Sequence, residues 1–196
     1  KIRVKFSGYS KIFSLHKRQV TDMKWEFDIL YWFQSLHNPV LNQIEKIITA
    51  FGDGGFFWIG LTIAILIFVK DKRVGLTCAL SLAAEALLVL ILKNTVRRSR
   101  PIWLDPSVQM LVKIPKDFSF PSGHSGASFA VSVSIFLYNK KWGTAAIVLA
   151  SLIAISRLYL FVHFPTDVIV GTLIGITMAI LMNYFVKKKY PEPLLL

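Results

Sequence analysis

Two histidines, an aspartate and a set of lysines and arginines interrupt the apolar runs of this chain. They fall in three short pieces: KNTVRRSRP (93–101), FPSGHSGAS (120–128) and SRLYLFVHFPTD (156–167). A charge at membrane depth is costly, so residues of this kind are usually functional or paired. In the first piece Lys93 and Arg100 are seven residues apart. Seven helical steps of about 100° return almost to the same face, so both cations can converge on one anion. Pro101 then stops the helix. In the second piece Pro121 suits a helix start and Ser122 can cap it. Gly123 lets a ligand approach the backbone closely. The free amides of a helix N-terminus favour phosphate, and His124 would stand in that first turn. In the third piece Ser156 and His163 are again seven apart, and Arg157 is long enough to reach round. Pro165 can start the last helix, which puts Asp167 in its first turn, close to His163. A carboxylate beside an imidazole fixes its tautomer and stabilises the imidazolium. His163 would then offer its other nitrogen, unprotonated, as a nucleophile.

Each piece alone has a plainer reading: a basic membrane flank, a helix cap with a satisfied histidine, and a structural His–Asp pair. Two histidines and an aspartate would also satisfy zinc. Lys93, Arg100 and Arg157 argue against that, because three cations repel a divalent ion and attract an oxyanion. The expectation is therefore no metal and no cofactor.

The elements that must position these pieces are membrane helices. Of 196 residues, 54% are hydrophobic, and they cluster in long runs. Five runs are near the ~20 residues that a helix needs to cross the hydrocarbon core: 54–70, 74–93, 122–138, 143–161 and 165–186. Lys70, Lys72 and Arg73, then Lys140 and Lys141, then Lys187, Lys188 and Lys189 lie between or after them. Strict alternation puts these clusters on one face, cytoplasmic by the positive-inside trend. The three chemical pieces fall on the opposite face. The loop between the second and third runs is itself basic, with Arg97, Arg98, Lys113 and Lys116. It breaks the trend, so its charges have another task. The net charge of +12 is accounted for by membrane flanks and an anionic substrate, with no nucleic-acid partner. The single cysteine, Cys78, excludes an intrachain disulfide.

Residues 1–22 read as a basic N-terminal arm. Residues 23–53 read as an amphipathic interfacial segment, 54–189 as the transmembrane core and 190–196 as a tail. The fold class is all-α: a polytopic helical bundle of five or six spans with an N-terminal amphipathic helix. Glu85, mid-span, is expected to have a structural partner inside the bundle. Trp103 and Phe164 border the site, as lining of a lipid access route or as interface anchors.

Lys93-(six)-Arg100-Pro101, Pro121-Ser122-Gly123-His124 and Ser156-Arg157-(five)-His163-(three)-Asp167 together resemble the three-part signature of the type-2 phosphatidic acid phosphatase superfamily. All three parts are complete, in order and correctly spaced. The resemblance covers residues 24–186. It implies a metal-independent membrane lipid phosphatase. His163 would attack phosphorus and become phosphorylated. Asp167 would orient it, and His124 would protonate the leaving oxygen and then activate water. Lys93, Arg100, Ser122, Gly123 and Arg157 would hold the phosphoryl oxygens. Soluble vanadium haloperoxidases share the constellation but not the apolar spans. A non-catalytic lipid-binding or lipid-translocating protein is the reading from another class. The small size and short loops resemble bacterial phosphatases of undecaprenyl diphosphate, with phosphatidylglycerophosphate and phosphatidic acid as competing substrates.

Overall fold

The computed structural model describes residues 23–195 and is helical throughout, with no strand among the described residues. The expected basic arm, 1–22, and the last residue of the tail lie outside them. Eight α-helices follow in order: α1 (Lys24–Ser35), α2 (Pro39–Ala50), α3 (Phe56–Phe68), α4 (Lys72–Val96), α5 (Pro101–Leu104), α6 (Gly123–Phe136), α7 (Lys140–Tyr159) and α8 (Pro165–Lys189). Their boundaries follow local chemistry. The Asn38 side chain accepts from Val40 N and Leu41 N to start α2, with Pro39 at the first position. Asn139 starts α7 in the same way, through Trp142 N. Such caps satisfy amides that have no partner within the helix.

Among the described residues, four helical stretches are long and apolar enough to cross a membrane: Pro39–Phe68, Lys72–Leu104, Lys140–Tyr159 and Pro165–Lys189. The first joins α2, a short 3-10 turn at Asp53–Gly55 and α3, so the run expected at 54–70 extends back to Pro39. The expected run at 122–138 corresponds to α6, which has only 14 residues. At 1.5 Å per residue, α6 reaches about 21 Å, short of the ~30 Å hydrocarbon core.

Helix α6 is central, packed against α4, α7 and α8. Its Ser125, Gly126, Ser128, Ala130, Ser132 and Ser134 are all buried. Small residues let helix backbones approach closely where lipid removes the hydrophobic drive between helices. A Cβ added at Gly175 of α8 would lie 2.3 Å from the Gly126 carbonyl oxygen. One added at Gly171 would lie 2.3 Å from that of Ser122. Helix α8 therefore lies directly against the start of α6.

The basic clusters collect at one end of the bundle. Arg73 donates to the carbonyl of Pro191, and Lys187 lies 4.9 Å from the Tyr138 ring centroid. The three chemical pieces collect at the other end. There α1 is docked by Phe27 and Leu30, which pack with Ile102, Phe161 and Phe164. Its Trp25 and Trp32 remain exposed, the pattern of an aromatic belt at a membrane surface.

Candidate active site

The turn after α7 supplies the central histidine. Phe161 adopts a left-handed conformation (φ 58°), uncommon outside glycine. This reverses the chain between Tyr159 and Pro165, so His163 sits in the turn rather than on the face of α7 that carries Ser156. Ser156 bonds within its own helix, to Ile153 O. His163 is buried, and its Nε2 lies 3.1 Å from Arg100 Nη1. A guanidinium only donates, so Nε2 must be the accepting, unprotonated nitrogen. The ring proton is then on Nδ1, 3.6 Å from Asp167 Oδ2. That separation is longer than a hydrogen bond, and Nδ1 has no hydrogen-bond partner among the described residues. Burial pushes the His163 pKa down to about 3. Arg100 and Arg157 add to the shift, and Asp167 opposes it. The imidazole is thus neutral at physiological pH.

Arg100 reaches this nitrogen by a route that the seven-residue spacing did not anticipate. Helix α4 ends at Val96, Arg97 is left-handed (φ 52°) and Arg100 is extended, ahead of Pro101. A residue before proline disfavours the helical region, so Lys93 and Arg100 are not on one continuous helix. They converge nonetheless, on Asp117. Its carboxylate accepts from Lys93 Nζ (2.7 Å) and from Arg100 Nη2 (2.7 Å). Lys93 also donates to Phe118 O, and Arg100 to Val162 O. Burial raises the Asp117 pKa, but the two cations outweigh it and hold the carboxyl down at about 2.

Ser122 caps α6: its hydroxyl accepts from Ser125 N, and its own amide donates to the Asp167 carbonyl. Gly123 opens the helix, and His124 follows. His124 Nε2 lies 2.9 Å from Asp53 Oδ1, so a second His–Asp pair stands in the site. The backbone is shaped for it. Gly54 and Gly55 have φ of 58° and 69°, and a Cβ at Gly52 would lie 2.5 Å from His124 Cδ2. Arg157 is almost fully buried. One of its amino groups bonds Thr49, and its Nε has no hydrogen-bond partner among the described residues.

Behind His163, sequence reasoning missed a network. Arg98 bonds Asp167 (2.6 Å), the Thr166 hydroxyl (2.6 Å) and Glu26 of α1, and lies 4.3 Å from the Phe164 ring centroid. Glu26 also accepts from Thr166 N, while Asp167 further accepts from the Ser119 hydroxyl and from Phe164 N. Asp117, Asp53, Arg98 and Glu26 are thus the functional neighbours not foreseen. Asp53 did carry a signal: its GDGG setting in an otherwise apolar stretch.

Two expectations are corrected. Phe164 is fully buried, in T-shaped contact with Phe27, and lines no lipid route. Glu85 is buried, but its Oε1 has no hydrogen-bond partner among the described residues. It packs against Gly126, where the missing side chain leaves it room, and faces a cavity of about 380 Å³ that it shares with Lys93, Gly123 and His124. No group of three or more His, Cys, Asp or Glu among the described residues is arranged to hold a metal ion.

A helical membrane bundle that gathers three buried or half-buried cations and two histidines at one end belongs to a class of membrane proteins whose charge suits an oxyanion. Comparison with known proteins makes that class specific. The model of the PAP2 superfamily matches residues 74–191, and the chain belongs to that family. It is 32% identical to an undecaprenyl-diphosphatase of Sulfolobus acidocaldarius over 69% of this chain and 66% of that protein. It is 34% identical to phosphatidylglycerophosphatase B of Bacillus subtilis over 78% of this chain and 79% of that protein. Among solved structures, a transmembrane PAP2-type phosphatidylglycerolphosphate phosphatase from Bacillus subtilis superposes with a TM-score of 0.71. The match has 26% identity and covers 94% of this chain and 96% of that one. These relatives are lipid phosphatases, and the expectation of a membrane hydrolase of this family holds.

Proposed function

We propose that this chain is an integral-membrane, metal-independent phosphatase that hydrolyses a lipid phosphate or diphosphate through a phosphohistidine. We assign undecaprenyl diphosphate as its substrate, hydrolysed to undecaprenyl phosphate. One observation carries the reading: a buried neutral histidine has its accepting nitrogen 3.1 Å from a guanidinium and its other nitrogen facing a buried carboxylate. A nucleophile for phosphorus needs an unprotonated nitrogen, whose lone pair Arg100 releases as the phosphoryl group arrives, and the metaphosphate-like transition state needs cations around its oxygens.

In this mechanism His163 Nε2 attacks phosphorus while Asp167 stabilises the Nδ1 proton. Lys93, Arg100, Arg157, Ser122 and the Gly123 amide hold the phosphoryl oxygens. His124, oriented by Asp53, protonates the leaving oxygen and then takes a proton from the water that hydrolyses the phosphohistidine. Asp117 balances part of the Lys93–Arg100 charge.

The relative named undecaprenyl-diphosphatase favours the diphosphate reading. The one named phosphatidylglycerophosphatase B favours a phospholipid phosphate such as phosphatidylglycerophosphate or phosphatidic acid. The collection of the lysine clusters at the opposite end supports a multi-pass membrane protein of five or six spans with that end cytoplasmic. Its α1 would lie in the interface and its site on the non-cytoplasmic face. The decisive experiment is phosphate release from the three lipids by purified protein, alongside His163→Gln. Wild-type turnover that resists EDTA, is inhibited by vanadate and is abolished by H163Q is expected. Turnover that survives H163Q refutes the nucleophile.

A further inference from the structure

The loop between α5 and α6 carries two lysines that the site described above does not use. Lys113 and Lys116 are exposed and make no hydrogen bond or ion pair with any described residue. Both line a cavity of about 480 Å³ whose other polar walls are Thr49, Asp53, His124 and Arg157. That volume lies within the usual range for small-ligand sites, about 300–1,000 Å³. Asp53 is the one carboxylate on the wall, and it is held by His124. The charge of Lys93 and Arg100 is balanced in part by Asp117. No such carboxylate meets Lys113, Lys116 or the Arg157 Nε. The cavity therefore keeps an excess of positive charge beside His124.

His124 is where the leaving group departs. On its other side lies the cavity that Glu85 and Lys93 also line; its remaining wall of Leu82, Ala86, Val89 and Leu90 is apolar and suited to a lipid tail. A lipid alcohol would bring no charge to the cationic side, whereas a lipid phosphate would. We infer that Lys113 and Lys116, continuing the cluster begun by Arg157, form a subsite for the second phosphate of a diphosphate lipid, the one that stays with the lipid. This rests on the phosphatase reading above.

In the step it serves, a bond forms between His163 Nε2 and the terminal phosphorus. The bond from that phosphorus to the bridging oxygen breaks, and its electron pair stays on the bridging oxygen, which takes the His124 proton. The lipid monophosphate so formed leaves. Water then attacks the phosphohistidine, gives a proton to His124 and releases orthophosphate. The lysines stabilise the charge gained by the departing phosphate.

The test is the double variant Lys113→Gln/Lys116→Gln, both positions being exposed and outside helices. Two exposed ion pairs at low salt together account for about a tenfold effect. A loss of about tenfold in kcat/KM on undecaprenyl diphosphate is expected, shrinking as salt rises. Turnover of phosphatidic acid should stay within about twofold of wild type. Equal losses on both lipids, or none on either, overturn the subsite while leaving the phosphatase reading intact. A second arm is independent of turnover: calorimetric binding of inorganic pyrophosphate and of orthophosphate. Wild type should prefer pyrophosphate, and the double variant should lose that preference. A wild type with no preference overturns the subsite, and one that binds pyrophosphate but hydrolyses no lipid phosphate overturns the phosphatase reading instead.

Discussion

Arg98→Met is the most informative single change. The Arg98 guanidinium sits between two carboxylates that have almost no access to solvent: the side chain of Glu26 is 4% exposed and that of Asp167 0%, against 20% for Arg98 itself. Methionine keeps much of the stem that packs over Phe164 but removes every donor. Breaking a buried pair by deleting one partner costs about 3–5 kcal/mol, because it leaves charge buried and unmatched. The partial exposure of Arg98 lowers the expectation to about 2–3 kcal/mol, read by denaturant unfolding in micelles. Glu26→Gln in the same background removes one of the stranded charges, so the double variant should be less destabilised than the sum of the singles. Coupling between groups in one network is typically about 0.5–3 kcal/mol. Catalysis supplies a readout that a purely structural role would not move. Arg98 touches Asp167 and not the phosphate position, so kcat should fall with KM little changed. A shift of about 1 Å in a catalytic group can cost about 100-fold. Arg98→Lys should be intermediate, retaining charge without the fork that spans two carboxylates. A methionine variant within about 0.5 kcal/mol of wild type, with unchanged kcat, would refute the idea that α1 and the Glu26–Arg98 link hold Asp167 in place.

Asp53→Asn should lower kcat about tenfold or more, because it loosens the acid–base histidine, and that class of catalysis contributes about 10²–10⁴-fold; the drop should be seen at substrate saturation. Gly171→Ala forces a methyl to 2.3 Å from the Ser122 carbonyl. The overpacking should destabilise by about 1–3 kcal/mol and displace the Ser122–His124 turn, measurable as joint loss of unfolding free energy and activity. The pH dependence of stability follows from His163, held neutral to about 3 in the folded protein against an ordinary 6.5. Below 6.5 the unfolded chain binds a proton that the folded one refuses. Stability should therefore fall progressively from pH 6.5 toward 3, and His163→Gln should flatten that part of the curve.

What the sequence could and could not state divides along a physical line. Lys93, Arg100, His124, Arg157, His163 and Asp167 were legible because each is a charged or titratable residue set in an apolar run, where its presence is costly. Their meeting was expected from a shared membrane face, and helical spacing was expected to align Lys93 with Arg100 and Ser156 with His163; the structure breaks both helices before the second residue of each pair. Arg97 and Phe161 turn the chain through left-handed conformations, and nothing in an arginine or a phenylalanine announces a positive φ. Four of the five expected runs fall in helical stretches of membrane length among the described residues, the first of them extended back to Pro39, whereas α6 is short. Its serines and glycines look too polar for lipid because neighbouring helices surround it. Glu26 and Asp117 went unseen because they lie on interfacial or loop segments, where a charge is ordinary, while Asp53 and Arg98 were visible as an acid among glycines and as part of a basic loop but without their partners. Only the fold reveals that Glu26 is buried under α8 and that Asp117 bridges two cations. Such residues act through other residues, so their chemistry belongs to the pairing and not to the residue. The same holds for Lys113 and Lys116. In the sequence they are merely an excess of positive charge on the wrong side of the membrane. In the fold they line one cavity with His124 and Arg157, and the diphosphate reading gives that excess an anionic leaving group to meet.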